Sequence, residues 1–178
     1  MSSIRSCVTR WLALLLVASG LASQADPAFS ALPELIEQVK PSIVVIGTYN
    51  KTRTPAFVMR GTGFVVGDGL LVATNAHVVP ELVDTSNGEV LVVQSRPASP
   101  NAQLRPARIA LSDKFHDLAL LRIEGVPLPV MTLKAEGPVR EGESVAFTGF
   151  PIGGALGLSP VTHRGTISAI TPIALPSP

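Results

Sequence analysis

The chain has 178 residues, 46% hydrophobic and 15% charged, with a formal net charge of +1. It is too apolar for a disordered chain and too sparsely charged for a nucleic-acid binder, and its charge designates no partner. Aromatic residues make up 4%, against 15 Gly and 16 Pro, a balance that favours short strands joined by turns over long helices.

Residues 1–25 read as a secretory signal. Arg5 and Arg10 form a basic stretch, Trp11 to Ala18 an apolar run, and Ser23-Gln24-Ala25 a small-residue cleavage site after Ala25. The alternative is an uncleaved anchor, but the run falls short of the about 20 apolar residues a bilayer span needs. Cleavage predicts a periplasmic or secreted protein with no stable membrane anchor. Cys7, the single cysteine, lies inside the signal, so the mature chain has none for a disulfide and must be held by burial.

From Asp26 the elements run in order. Ala31 to Lys40 reads as a short helix, with Leu32, Leu35, Ile36 and Val39 at helical spacing and Pro41 ending it. Strands are predicted at Ser42–Tyr49, Ala56–Met59, Gly61–Val66, Leu70–Thr74, Glu89–Gln94, Leu104–Leu111 and Asp117–Ile123. Gly67-Asp68-Gly69 reads as a tight hairpin turn in which Asp-Gly supplies the positive φ. Ser95–Gln103 reads as a surface loop. Asp117–Ile123 is apolar on both faces, which predicts a strand buried on both sides. After a linker at Gly125–Pro129, two more strands are predicted at Ser144–Phe150 and Val161–Ile170, flanking a Gly-rich loop at Pro151–Pro160. The last residues, Pro172 to Pro178, cannot continue a sheet interior. Roughly seven strands before the linker suffice for a small barrel, and two after it do not. The domains expected are a signal (1–25), an N-terminal helical segment (26–41), a first barrel (42–125) and a partial second barrel (126–178).

Three histidines are present: His77, His116 and His163. His77 follows a predicted strand at a short turn, where a general base needs to be held; on its own it fits better a buried histidine donating to a backbone carbonyl. Asp117 opens an apolar strand, where a carboxylate needs a partner. The Nδ1–H of a histidine would satisfy it, and so would a turn role with Arg122 or Lys114 nearby. Asp113 is a rival carboxylate in an exposed turn. His116 is a poor partner for Asp117, because successive strand side chains point to opposite faces. His163 is expected on a strand after the linker in a structural role. The histidines lack metal-ligand spacing, and Gly153-Gly154-Ala155-Leu156-Gly157 lacks the residues of a phosphate loop; no cofactor and no metal is predicted.

Gly61-Thr62-Gly63-Phe64-Val65-Val66, Leu71-Val72-Ala73-Thr74-Asn75-Ala76-His77-Val78-Val79 and Asp117-Leu118-Ala119-Leu120-Leu121 resemble three successive motifs of the trypsin-like serine peptidases, in particular the cysteine-free bacterial HtrA (Deg) branch. Glu34 to Val44, Gly149-Phe150-Pro151-Ile152-Gly153 and Arg164-Gly165-Thr166-Ile167-Ser168-Ala169 resemble further motifs of that domain. The resemblance implies an all-β fold, the trypsin-like double β-barrel, with the first barrel complete and the second truncated. It implies a serine endopeptidase acting on peptides or unfolded proteins, with His77 as general base and Asp117 as its orienting partner. No serine is carried over as nucleophile. Ser144, Ser159, Ser168 and Ser177 all lack the Gly-x-Ser-Gly-Gly setting, so the chain alone is expected to be inactive. The competing expectations are a non-catalytic, protease-like module that binds peptides or partner proteins, and a small β-barrel unrelated to proteases.

Overall fold

The computed structural model describes residues 32–80, 85–97, 99–133, 137–151, 153 and 157–172. The signal segment 1–25 lies outside them, as do residues 152 and 154–156 of the Gly-rich loop and the tail 173–178. The described residues from Ile36 onward belong to one compact unit. Helix α1 covers Leu32–Val39, and a 3₁₀ turn at Lys40–Ser42 follows it. The α-helix thus stops before Pro41, which sits in the 3₁₀ turn that follows it. Among the described residues no helix is long and apolar enough to cross a membrane.

Six strands close into a barrel: β1 (Ile43–Tyr49), β2 (Phe57–Val66), β3 (Leu71–Thr74), β4 (Val90–Ser95), β5 (Gln103–Asp113) and β6 (Leu118–Ile123). Their order around the barrel is β1-β2-β3-β6-β5-β4, every pairing is antiparallel, and β4 returns to β1. Closure leaves the barrel without a free sheet edge along its paired length.

Two of the predicted strands are one. Ala56–Met59 and Gly61–Val66 fuse into β2, and the register with β1 jumps from Ile46↔Gly61 to Gly47↔Met59. Arg60 is the extra residue of a β-bulge. Its polarity interrupts the apolar pattern without ending the strand.

Double burial belongs to β1 rather than β6. Val44 and Ile46 point into the barrel with Val65, Val72, Leu91, Val93, Leu121 and Ile123. Ile43 and Val45 point outward under Phe150, Phe57, Met59 and Phe64. Along β6 the burial alternates, and Leu118 is exposed. A single apolar strand in sequence does not say whether anything covers its outer face; here a cover lies over β1 and the neighbouring part of β2, while the outer face of β6 at Leu118 is open. Each fully buried Val, Leu or Ile contributes about 1.5–3 kcal/mol, so two such side chains match a typical disulfide of about 2–4 kcal/mol.

The turn between β2 and β3 has four residues, Gly67 to Leu70. Positive φ falls on Gly67 (62°) and Gly69 (81°), not on an Asp-Gly pair. Asp68 instead accepts the Leu70 N–H at 3.0 Å and pairs with Arg122 at 2.7 Å. The predicted linker runs along the barrel wall: the Leu128 N–H donates to Gly69 O at 2.9 Å and the Met131 N–H to Val65 O at 2.9 Å. Beyond it, β7 (Ser144–Gly149) and β8 (Val161–Thr166) form a separate two-stranded sheet. The Phe150 N–H donates to Thr62 Oγ1 at 3.1 Å, fastening the end of β7 to β2.

Leu121 is 0% exposed and Leu111 61% exposed, on neighbouring strands. Leu121→Ala should lower unfolding stability by about 2–5 kcal/mol, and Leu111→Ala by less than about 0.5 kcal/mol. Urea denaturation of the two variants checks this; equal losses would refute the assignment of inside and outside.

Candidate active site

Strand register brings together the two ends that matter. In the β3–β6 pair, Thr74 lies opposite Ala119, so the exit of β3 and the entry of β6 are side by side. Thr74 is buried, and its Oγ1 donates to Thr62 O at 2.8 Å, anchoring that exit to β2. The next residues leave the sheet as a 3₁₀ turn, Ala76–Val78, preceded by Asn75 in extended conformation. Val78 faces inward and packs on Gly61, where an added Cβ would meet the Val78 methyls at 2.7 and 2.8 Å. The glycine thus lets β2 back directly onto the turn that carries His77.

Asp117 closes the four-residue loop Lys114–Asp117 between β5 and β6. It precedes the strand instead of opening it, and it holds a positive φ of 53°. Aspartate is among the side chains that tolerate this left-handed region, as short polar residues at loop ends do. The conformation aims its carboxylate back across the barrel rim. His77 Nδ1 lies 2.6 Å from Asp117 Oδ2, and the His77 main-chain N–H donates to Oδ1 at 2.9 Å. The Asn75 amide donates to Oδ2 at 3.2 Å and to the Asp117 carbonyl at 3.1 Å. An ionised carboxylate accepts only, so Nδ1 carries the hydrogen, and in the neutral imidazole Nε2 keeps its lone pair. Among the described residues nothing bonds to Nε2. The side chains are 56% and 39% exposed, so the pair is a rim feature open to a reactant.

The His77 main-chain N–H is the largest influence on Asp117 and lowers its pKa below the usual carboxylate value; partial desolvation opposes it, and the imidazole and the Asn75 amide add to the lowering. The carboxylate therefore stays charged across ordinary pH and can stabilise an imidazolium when one forms.

His116 and Asp113 make a second pair, which the sequence pattern does not reveal. Nδ1 is 2.6 Å from Asp113 Oδ2, and the main-chain N–H groups of Phe115 and His116 donate to Oδ1. Strand alternation does not govern His116 and Asp117, since both sit in a loop; Asp113 is what occupies His116. Arg122 pairs with Asp68 rather than Asp117. His163 lies on β8 and stacks on Phe147, ring centroids 5.2 Å apart. Asn75 and the His77 main-chain N–H escape sequence reasoning as partners of Asp117, because nothing local in sequence marks them. Beside the His77–Asp117 pair, a cavity of about 650 Å³ opens between Ala76, Val79 and Pro80 on one side and Ile109, Ser112 and Lys114 on the other. Among the described residues no three His, Cys, Asp or Glu converge as a metal site.

Because the folded pKa of Asp117 is depressed, its contribution to stability is fully present above the unfolded value, about 3.9, and is lost as pH falls through the lower folded value. Asp117→Asn should lower the urea midpoint at pH 7, and the gap to the parent should shrink below about pH 4. Midpoints measured between pH 7 and pH 2 check this; a gap constant across that range would contradict it.

Similarity to known proteins follows the same geometry. The family model of the trypsin-like peptidase domain matches residues 61–177. Serine protease HTRA1A of Danio rerio is 32% identical over 128 residues, 69% of this chain and 24% of that protein. Mitochondrial serine protease HTRA2 of Drosophila pseudoobscura pseudoobscura is 38% identical over 115 residues, 65% of this chain and 24% of that protein. The crystal structure of the serine endoprotease from Yersinia pestis superposes with a TM-score of 0.58 at 25% identity, covering 77% of this chain and 44% of that one. The crystal structure of Deg5 gives a TM-score of 0.61 at 24% identity, covering 83% and 66%, a likeness of fold. The chain spans about a quarter of the length of these curated relatives. With its closed six-stranded barrel, its small second sheet and these matches, the chain belongs to the trypsin-like peptidase family, with serine proteases of the HtrA type among its relatives.

Proposed function

We propose that this chain supplies the general base and the orienting carboxylate of a secreted or periplasmic serine endopeptidase acting on peptides or unfolded proteins. One observation carries the reading: the His77 Nδ1–Asp117 Oδ2 contact of 2.6 Å, with no partner on Nε2 among the described residues. In that chemistry a serine hydroxyl attacks the scissile carbonyl while Nε2 takes its proton. Asp117 stabilises the imidazolium, which then gives the proton to the departing amine. Water attacks the acyl-enzyme in the second half, with His77 again taking and returning a proton. None of the serines in the 178 residues lies in a Gly-x-Ser-Gly-Gly setting that would shape an oxyanion hole around it. The nucleophile is accordingly assigned to a segment outside these residues, and the β7–β8 sheet to the start of the barrel that would carry it. Residues 1–25 support export. A protease-like module that binds peptides without cutting them is the competing reading, favoured by that same lack of a serine motif.

The test uses the complete product of the gene. It should hydrolyse casein and take a fluorophosphonate label. His77→Ala or Asp117→Asn should each lower kcat by about 10⁴-fold or more with little change in KM. Residues 26–178 alone should take no label. Peptide binding without hydrolysis by the complete product establishes the competing reading, and hydrolysis indifferent to His77→Ala overturns the roles assigned to His77 and Asp117.

A further inference from the structure

We infer that Asn75 is a positioning residue, whose amide locks the backbone and the carboxylate of Asp117 to each other. Its functional meaning rests on the proteolytic reading of His77 and Asp117; its geometry does not. Asn75 Nδ2 lies 3.1 Å from the Asp117 carbonyl oxygen and 3.2 Å from Oδ2. Both partners are acceptors, so the amide must turn its nitrogen toward them. One NH₂ group carries two hydrogens, and here each has its own acceptor on a single residue. No other side chain of similar size does this: a serine or threonine hydroxyl has one hydrogen, and an aspartate has none.

The bridge is needed because Asp117 is underdetermined without it. Its φ of 53° is a conformation few residues adopt, and its side chain is 39% exposed, so water competes for both oxygens. The His77 main-chain N–H fixes Oδ1. Asn75 adds a second donor to Oδ2 beside the imidazole and ties it to the carbonyl of the same residue. Asn75 is itself held, since its carbonyl accepts the Val78 N–H at 3.2 Å. The carboxylate is thereby held by donors on both oxygens while it meets Nδ1.

The experiment is NMR on the 178-residue chain. In Asn75→Ala, the His77 Nδ1 proton should exchange with water about tenfold faster, and the Asp117 carboxyl should titrate at higher pH than in the parent. The His116–Asp113 pair should be unchanged and serves as the internal reference. A folded Asn75→Ala with unaltered exchange and unaltered Asp117 titration overturns the inference. Should that variant fail to fold, the unaltered chain decides: Asn75 Nδ2 protons protected from exchange with water support the bridge, and Nδ2 protons exchanging as fast as those of a solvent-exposed asparagine overturn it. A complete gene product inert to casein and to fluorophosphonate removes the proteolytic reading while leaving these outcomes standing, so the two failures are distinguishable.

Discussion

The pairing of Thr74 with Ala119 is the constraint on which the site depends. His77 and Asp117 are 40 positions apart in the chain, and no local propensity joins them. Antiparallel register does, because it sets the end of one strand beside the beginning of another. The barrel interior holds that register, for a slip by one residue would turn Val72, Ala119, Leu121 and Ile123 from inside to outside. The packed core and the rim chemistry are therefore two consequences of one alignment.

What sits on the rim is held in proportion to how exposed it is. An ion pair open to water contributes little to stability, so Coulomb attraction alone would leave Asp117 mobile. Directional donors do the holding: the His77 main-chain N–H on one oxygen, the imidazole and the Asn75 amide on the other. The His116–Asp113 pair shows that a similar contact can form within a single loop, where main-chain donors two and three residues on from Asp113 hold its Oδ1. The difference is that the His77 pair bridges two strands, and so reports on the barrel, whereas the other closes a hairpin on itself.

Much of this was legible in the sequence. The order of the motifs around Gly61, His77 and Asp117 pointed to the family that the comparisons show, and most strands fell within a few residues of their observed bounds. The misreadings share one cause, which is that tertiary surroundings decide what a local pattern means. Arg60 looked like a break because a bulge and a strand end have the same polarity signature. The run after Asp117 looked doubly buried because its apolar outer face has no sequence marker for being left uncovered, as Leu118 is. Asp117 looked like a strand residue although its left-handed backbone puts it in the loop, and that placement is what aims it at His77. Asn75 lay inside a recognisable motif without drawing notice, since its two acceptors belong to a residue brought near only by the sheet.

His77 is an imidazole fixed by Asp117 with Nε2 free to take a proton, and that protonation pattern is directly measurable. The ¹⁵N spectrum of the folded chain at a pH where His77 is neutral should show its hydrogen on Nδ1 and a bare Nε2, and Asp117→Asn should abolish that preference while His163 stays unaffected. A His77 that carries its hydrogen on Nε2 with Asp117 intact would contradict the account.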